Sequence, residues 1–577
     1  MDNGKKQTRR DFLKLAGAAS GSSILAACAP AQPAAPAAAA PPTAAPAATA
    51  APAATAAPAA TAAPAATVKT TVSLQQDSWA GPMGNQLHIS QRMHLDRLFD
   101  QQADGSLQPT LAESWEWAPD ATTLTFKLRK GVNFHDGQPF TAKDVVTSIK
   151  VMVSPHMGGR FKRMKPIKGV EAFSNDEATE IEGLKVVDDH TLTIEFERPA
   201  AGFFAYSAFG RDGVNILPAH IWEPAMEKAR KGEVSLKEYQ NPWYWSQEAC
   251  IGTGSFKYAE GETEKFVRLE RFDDGWRGKP FIDEILLQNF GGADTQLLAF
   301  QKGELDIMNV PPDYFDQMSG FADASIDIFA TPYIQVLTVN CANGDMALTD
   351  PRVRHALSSA INRESINKGL YREYNKVWTA VLQKPWHDNS APQFPYNPAM
   401  AKALLQEAGF DLNRELVLGF DYPDPLPRQL MEVIQANLQE VGIKSTIFLA
   451  RDAAAEEAQT NGRYSVWLNA YAAHPSPYTI INQHLMENDA ARGKCGSPEL
   501  DALLNKAETI SDVEGQKAIW AEIQTAVQLE ASIIPLWRRG RKVAYQKRLK
   551  GWTTNTTASI AMFGFHAYGA EQWKVVG

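Results

Sequence analysis

A repeat near the start of the chain most limits what can fold, because it cannot build a packed core. The unit Ala-Ala-Pro-Ala-Ala-Thr occurs four times without change from Ala44 to Thr67, and similar sequence precedes it from Ala29. A proline every six residues interrupts the helix that alanine favours, and almost no apolar side chain larger than alanine is present. We therefore predict a semi-extended, solvated tether over residues 28–67, with the folded protein beginning near Val68.

The residues before the tether are typical of an export signal. A twin-arginine segment, Thr8–Lys14, is followed by the apolar run Leu15–Ala27, which is too short to span a bilayer comfortably. The segment Leu25–Ala27 then precedes Cys28, which fits a lipoprotein signal peptidase site whose cysteine thiol takes a diacylglycerol. We predict a signal peptide over residues 1–27 and a lipid anchor on Cys28, so that the exported protein stays at the outer face of the cytoplasmic membrane. The alternative is a buried N-terminal helix with an incidental cysteine.

Charge and cysteine content exclude two classes of protein. The 577 residues include 57 Lys and Arg against 66 Asp and Glu, which gives a formal net charge of −9. An acidic surface is a poor match to nucleic acid, so we expect no nucleic-acid partner. Four cysteines are too few for a scaffold built on disulfides. With Cys28 lipidated, Cys250, Cys341 and Cys495 remain; at least one is a free thiol, and the sequence leaves open which pair forms a disulfide.

Strand-like and helix-like segments alternate after Val68, and this order is typical of α/β domains. Leu124–Leu128 and Thr191–Phe196 alternate apolar and polar side chains and are predicted strands. Four predicted helix starts combine an N-cap residue with a following acid or proline. They are Thr141 with Asp144, Asp350, Asn397 and Ser497.

Seven segments of the body occur in the order known from one protein family. They are Leu111–Ile149, Ile251–Tyr258, Leu269–Ile285, Ala299–Ile307, Asp350–Ile366, Ala401–Phe410 and Leu438–Lys444. In these segments the chain resembles family 5 of the extracellular solute-binding proteins, the substrate-capturing lipoproteins of peptide-, nickel- and oligosaccharide-type ABC importers. The resemblance covers nearly all of the chain after the tether. It implies an α/β fold of the two-lobed periplasmic-binding-protein type (type II), with an extra inserted domain and a ligand cleft between the lobes.

The resemblance also divides the chain into parts. Lobe I is assigned to residues 68–106, 250–330 and 538–577, and lobe II to residues 331–537. A strand-rich inserted domain is assigned to residues 107–249. We expect the protein to work as a monomer with the permease subunits of an ABC importer.

Motifs of enzymes are absent or incomplete in the sequence. No G-x-S-x-G or H-E-x-x-H pattern is present, and the turn containing Gly252 and Gly254 lacks the remaining residues of a phosphate-binding loop. His135 fits a turn between a strand and a capped helix. We therefore expect a binding protein that uses no cofactor and no metal.

Aromatic and polar side chains at strand ends are the candidate ligand-binding residues, because such clefts need flat apolar faces and a few oriented polar groups. In Ser465–Tyr478, alternation places Trp467, Asn469 and Tyr471 on one face, and His474 lies in the following loop. Packing in the core of the lobe is the alternative for Trp467 and Tyr471.

Five further candidates complete the predicted site. The resemblance places the segment Thr331–Asn340 beside the ligand, and with it Tyr333 and Gln335. The other three are possible stacking platforms: Trp79, in the loop after the first strand, Trp245 and Trp386.

One departure from the family bears on the ligand. Peptide-binding members hold an aspartate in the loop after this strand, where it receives the α-amino group of the peptide. The corresponding residues, Ala472–Pro477, include no acid, with His474 nearest that position, and a buried ammonium without a carboxylate would be costly. Together with aromatic faces that suit sugar rings, this favours an oligosaccharide over an oligopeptide by a small margin. A ligand sensor working with a receptor, and an exported hydrolase, are the alternative functions.

Overall fold

The computed structural model describes fourteen stretches of the chain. They are residues 71–75, 89–101, 107–157, 164–200, 214–237, 241–262, 265–341, 344–382, 386–422, 425–451, 453–472, 497–510, 512–551 and 572–576. Within these residues, no helix has both the length and the apolar character needed to cross a membrane.

Helices and strands alternate along the described residues. The helices, α1 to α13 in chain order, are Ile89–His94, Ala142–Val153, Val170–Ser174, Ala219–Arg230, Ala293–Gln301, Phe315–Ser319, Pro351–Ala360, Arg363–Tyr371, Pro398–Glu407, Pro425–Glu440, Ala453–Thr460, Pro498–Glu508 and Val513–Glu530. The strands, β1 to β19, are Thr71–Gln75, Phe99–Gln101, Leu107–Pro109, Ala112–Trp117, Thr123–Leu128, Leu184–Asp188, Thr191–Glu195, Phe256–Glu262, Phe266–Arg271, Glu284–Gln288, Ile307–Asn309, Ala324–Val339, Lys376–Val377, Glu415–Phe420, Lys444–Leu449, Val466–Ala472, Ile533–Gln546, Leu549–Lys550 and Lys574–Val575.

The four helix starts predicted from the sequence are present as α2, α7, α9 and α12. At α2 the backbone N–H of Thr141 donates to Asp144 Oδ2 over 2.7 Å. The other three N-cap side chains accept a backbone N–H: Asp350 from Arg352 at 2.8 Å, Asn397 from Met400 at 3.0 Å, and Ser497 from Leu500 at 3.2 Å. Each such cap stabilises its helix by about 1 kcal/mol, so local sequence sets where these helices begin.

Eleven strands form one sheet, in the order β15-β14-β16-β12-β17-β11-β1-β10-β9-β8, with β13 paired to β17. Two long antiparallel strands, β12 and β17, run through its centre. Residues 324–330 of β12 pair with 540–546 of β17 beside β11, and residues 334–338 pair with 533–538 beside β16, with a bulge between the two parts. Both strands therefore belong to two half-sheets. We call the segments where they pass from one to the other, Thr331–Tyr333 and Arg538–Gly540, the crossover.

The second half-sheet, on the β16 side of the crossover, is covered on both faces. Leu337 and Leu468 point to the face that packs against α7, α9 and α10. Ile334 and Tyr471 point to the opposite face, which packs against α12 and α13. The first half-sheet packs Val72, Ile285 and other apolar side chains into a core of its own. Burial of these side chains is the main stabilising contribution to the fold.

A separate four-stranded sheet, in the order β4-β5-β7-β6, packs with α2 and α4 around another apolar core. Buried Asp96 lies beside this region, where Arg277 Nη1 (2.6 Å), Trp276 Nε1 (2.9 Å) and Thr253 Oγ1 (2.9 Å) donate to its carboxylate. Arg129, from the loop after β5, lies over the Trp276 ring with its Cζ 4.8 Å from the centroid. Asp96 and Trp276 thus join the four-stranded region to the loops of the first half-sheet.

His135 and the glycines near residue 253 have the structural roles that the sequence predicts. His135 Nδ1 accepts the N–H of Gly252 at 3.2 Å, and its Nε2 lies 3.0 Å from the carbonyl oxygen of Gly254. Burial lowers the pKa of His135 to about 4, so the ring is neutral near pH 7. A Cβ on either glycine would collide with the backbone of Met93 or His94, which explains why glycine is needed for this close approach.

Candidate functional site

The crossover lies at the carboxyl ends of two strands of the second half-sheet. Strands β14 and β16 are parallel, and the last residues of β16 pair with the crossover end of β12: Ala472 with Tyr333, and Ala470 with Gln335. In open α/β sheets ligands bind in the crevice outside the carboxyl ends of strands. The crossover is therefore the candidate site.

Near this end of β12 and β16, Thr338, Asn469 and Tyr471 form a side-chain hydrogen-bonded network, and Gln335, on the opposite face of β12, bonds to the backbone of Asn469. Gln335 Nε2 donates to the backbone carbonyl of Asn469 at 2.8 Å. Asn469 Nδ2 donates to Thr338 Oγ1 at 2.9 Å and to the Tyr471 hydroxyl at 3.0 Å, and these two hydroxyls lie 2.7 Å apart. Gln335 and Tyr471 are buried, with 7% and 6% of their surfaces exposed, while Asn469 is half-buried. The structure thus brings together three predicted site residues, with polar groups that already bond to one another.

A tyrosine cluster lies on the other face of the crossover. It consists of half-buried Tyr333, Tyr371 and Tyr422. Burial raises the pKa of Tyr422, with an opposing contribution from the positive charge of Arg539; burial likewise raises the pKa of Tyr371. The Tyr371 ring packs against Trp537, with centroids 4.9 Å apart. Tyr333 was predicted from the sequence; Tyr371 and Tyr422 were not, because they come from α8 and the loop after β14.

The placement of Trp467 does not fit a ligand platform. Its side chain is fully buried, in a cluster with Tyr464 and the α11 residues Ala455 and Ala458. A Cβ at Gly419 would collide with the Trp467 ring, so the neighbouring strand leaves just enough room for it. Strand alternation correctly predicted that Trp467 shares a face with Asn469 and Tyr471, but helix α11 covers this part of the face. We therefore assign Trp467 to the core.

Two of the remaining aromatic candidates, Trp386 and Trp245, pack against apolar cores, and the third, Trp79, lies outside the described residues. Trp386 is 3% exposed and packs with Trp520 in the core between the sheet and α12 and α13. Trp245 ends a 3-10 turn, Pro242–Trp245, and packs half-buried against the core of the first half-sheet. We correct Trp386 to a core residue for this reason. Trp79, His474 and Cys28 lie outside the described residues.

A run of basic residues at the crossover was missed by the sequence analysis. Strand β17 carries Arg538, Arg539, Arg541 and Lys542 between the apolar segments Ile533–Trp537 and Val543–Tyr545. Four cations within five residues of an otherwise apolar strand are unusual in a protein of net charge −9. That contrast was the signal that could have identified these residues.

The structure shows which of two cysteines, Cys250 or Cys341, is disulfide-bonded. Cys341 is disulfide-bonded, and its partner lies outside the described residues. Cys250 is a buried free thiol, and burial raises its pKa, which makes it unreactive near neutral pH. Among the described residues, no group of three or more His, Cys, Asp or Glu side chains is arranged to hold a metal ion.

Comparison with known proteins places these features in a family. The model of the middle region of bacterial extracellular solute-binding proteins, family 5, matches residues 106–491. The peptide transport periplasmic protein SapA of Salmonella typhimurium is 25% identical over 494 residues, covering 81% of this chain and 85% of SapA. The dipeptide-binding protein of Escherichia coli is 29% identical over 358 residues, covering 59% of this chain and 62% of that protein.

A solved structure has the same fold. The ABC transporter substrate-binding protein CtaP of Listeria monocytogenes aligns with a TM-score of 0.73 at 22% identity, covering 88% of this chain and 99% of CtaP. This likeness confirms the fold class predicted from the sequence: a two-lobed α/β fold of the type II periplasmic-binding-protein class, with a ligand cleft between the lobes.

Proposed function

Since this chain belongs to family 5 of the bacterial extracellular solute-binding proteins, we propose that it captures an oligopeptide and delivers it to the permease subunits of an ABC importer. The members of this family are solute-binding proteins of transporters and not enzymes. Two relatives with peptide-related functions support the choice of ligand. The sequence favoured an oligosaccharide because Ala472–Pro477 include no acid and because aromatic residues suit sugar rings. Trp467 and Trp386 are core residues, which removes much of that argument.

The observation that carries the proposal is the geometry of the crossover. Tyr333 and Arg539 lie where β12 and β17 pass between the half-sheets, at the carboxyl ends of β14 and β16, and the Arg539 charge acts on the pKa of Tyr422, two residues beyond the end of β14. Polar and aromatic groups converging at such an edge are typical of a ligand site. Gln335, Asn469 and Tyr471 line the same region and hold its shape through their mutual hydrogen bonds.

We further propose that the lobe boundaries lie at the crossover, between residues 330 and 331 and between 537 and 538. The change of pairing partners within β12 and β17 supports this division. The bulge between Ala330 and Ile334 interrupts the regular ladder and is the place where bending costs least. Closure of the lobes around the peptide would then occur by hinge motion at these segments.

A ligand screen by thermal unfolding tests the proposed function. A peptide that binds only the folded lipoprotein, present at 100 times its Kd, should stabilise it by about 2.7 kcal/mol and raise its melting temperature. The probes are tri- to pentapeptides, with cello- and manno-oligosaccharides and chelated nickel as comparisons. If oligosaccharides raised the melting temperature and no peptide did, the peptide proposal would be wrong and the ligand would be an oligosaccharide.

We also propose that Cys28 carries the lipid anchor and that residues 1–27 are removed on export. Replacing Cys28 with alanine should abolish incorporation of radiolabelled fatty acid and leave a soluble or an uncleaved protein, because residue 28 no longer offers a thiol for acylation. Cys250→Ala is the matched control and should remain labelled, since Cys250 is buried. Continued labelling of the Cys28→Ala protein would show that another residue is acylated.

A further inference from the structure

We propose that the crossover recognises carboxylates of the bound peptide, from its C-terminus or from acidic side chains, through Arg538 and Arg539. The inference rests on the proposed function and names the substrate class of the same site. It depends on the charges, burial and surroundings of these two side chains.

Neither arginine has an acidic partner in the described part of the chain. No described carboxylate forms an ion pair with Arg538 or Arg539, and the Nε atom of Arg538 is buried without a hydrogen-bond acceptor. Arg268, by contrast, is a half-buried arginine that contacts Glu260, Glu270 and Glu284. An unpaired cation that is partly removed from water is costly unless a partner arrives.

Arg538 faces a group of cationic and aromatic side chains. Its Cζ atom lies 5.8 Å from the centroid of the Trp378 ring, and Lys376 Nζ lies 5.8 Å from the same ring. Lys376 is also the pairing partner of Arg538 across β13 and β17. The His387 ring packs on Trp378 with centroids 4.6 Å apart. A carboxylate here would meet two cations, with an aromatic surface beside it for the neighbouring apolar atoms.

Arg539 is the next residue of β17, where alternation turns its side chain to the other side of the strand, and its backbone carbonyl accepts from Thr331 Oγ1 at 2.8 Å. Tyr371 and Tyr422 are both close enough for the Arg539 charge to act on their pKa values. Tyrosine hydroxyls can donate to the oxygen that the guanidinium does not bind, so this side also suits a carboxylate.

The backbone between the two arginines and the rest of β17 is held in place. The N–H of Gly540 donates to Asn375 Oδ1 at 3.0 Å. A Cβ at Gly540 would overlap the carbonyl oxygen of Tyr374, so any other residue would push the strand outward. The backbone next to Arg539 is thereby fixed before ligand arrives, which reduces the ordering cost of binding.

Calorimetric titration of the lipoprotein with four probes tests the inference. The probes are the pentapeptides Ala-Glu-Ala-Glu-Ala and Ala-Gln-Ala-Gln-Ala, each with a free or an amidated C-terminus. Loss of one charge-assisted contact should weaken binding about 10- to 100-fold. We expect the Glu peptide with a free C-terminus to bind the wild type tightest. Arg538→Gln and Arg539→Gln should each lose affinity for it by about that factor.

The matched control is Arg463→Gln, which removes the same charge at the amino end of β16, opposite the crossover. Arg463 is exposed, and its only ion pair among the described residues is with Glu457. The Arg463→Gln variant should therefore bind the Glu peptide with the affinity of the wild type. Comparing the probes identifies which carboxylate is recognised. A loss on amidation points to the C-terminus, and a loss from Glu to Gln points to the side chains.

A structural role for Arg538 would give a different result. Arg538→Met removes an unpaired cation, so the melting temperature of the free protein should stay the same or rise while affinity for the Glu peptide falls. A lower melting temperature with unchanged affinity would overturn the inference. Equal binding of the Gln and Glu peptides in both terminal forms would also overturn it, while leaving the proposed function intact. Failure of every peptide to bind would reject the proposed function and the inference together.

Discussion

Replacing Trp467 with alanine is expected to lower the free energy of unfolding by about 3–5 kcal/mol, the cost of removing a fully buried large aromatic side chain. The ring fills the space between Gly419, Tyr464 and α11, so its removal leaves a cavity in the core. Guanidinium chloride unfolding followed by circular dichroism measures the effect. The variant should unfold at a lower denaturant concentration than the wild type.

Trp378→Ala is the control, because Trp378 is half-buried at the crossover and its loss should destabilise the protein less. Comparing the two variants also shows whether Trp467 belongs to the core or to the ligand site. If Trp467→Ala unfolded like the wild type and lost only peptide affinity, Trp467 would be a ligand contact, as strand alternation first suggested.

Replacing Asp96 with alanine should destabilise the protein to a similar degree, by about 3–5 kcal/mol, because it leaves a buried partner charge uncompensated. Asp96 is 4% exposed and accepts from Arg277, Trp276 and Thr253, so its loss deprives three donors at once. Thermal and denaturant unfolding measure the change. Since Asp96 joins the four-stranded region to the first half-sheet, unfolding should also become less cooperative.

Asp273→Asn is the control for this second substitution. Asp273 forms its ion pairs with Arg271 and Lys279 at the surface, where water and salt screen them. Its substitution should leave the unfolding curve close to that of the wild type. Equal effects of the two substitutions would show that the Asp96 network adds nothing beyond a surface ion pair.

Local sequence signals predicted the parts of the fold that depend on local contacts. The starts of α2, α7, α9 and α12 follow from capping side chains within three residues of the helix. Alternation likewise predicted β5 and β7. The pairing of β12 with both β16 and β17 could not be predicted in this way, because it joins residues more than one hundred positions apart.

In the candidate site, too, local features could be predicted from the sequence and features that depend on distant contacts could not. Alternation predicted which side chains of β16 share a face, but it carries no information on what covers that face, so it could not show that Trp467 is buried against α11. Asn469 and Tyr471 were correctly grouped, although their hydrogen bonds to Thr338 depend on the register with β12. Arg538 and Arg539 were overlooked because the sequence search favoured aromatic residues, whereas the charge contrast within β17 was visible in the sequence.

The position of β17 also constrains how the polypeptide reaches its native state. This strand lies between β12 and β11, so it completes the hydrogen bonding of both half-sheets, yet it is built from Ile533–Gln546 near the end of the chain. A ribosome must therefore synthesise the polypeptide through Gln546 before the centre of the sheet can close. Because the closing contacts join distant parts of the chain, their loop-closure entropy makes this step slow. Until it is complete, the edges of β12 and β11 remain open to pairing with other chains, which makes the nascent protein a natural client for chaperones.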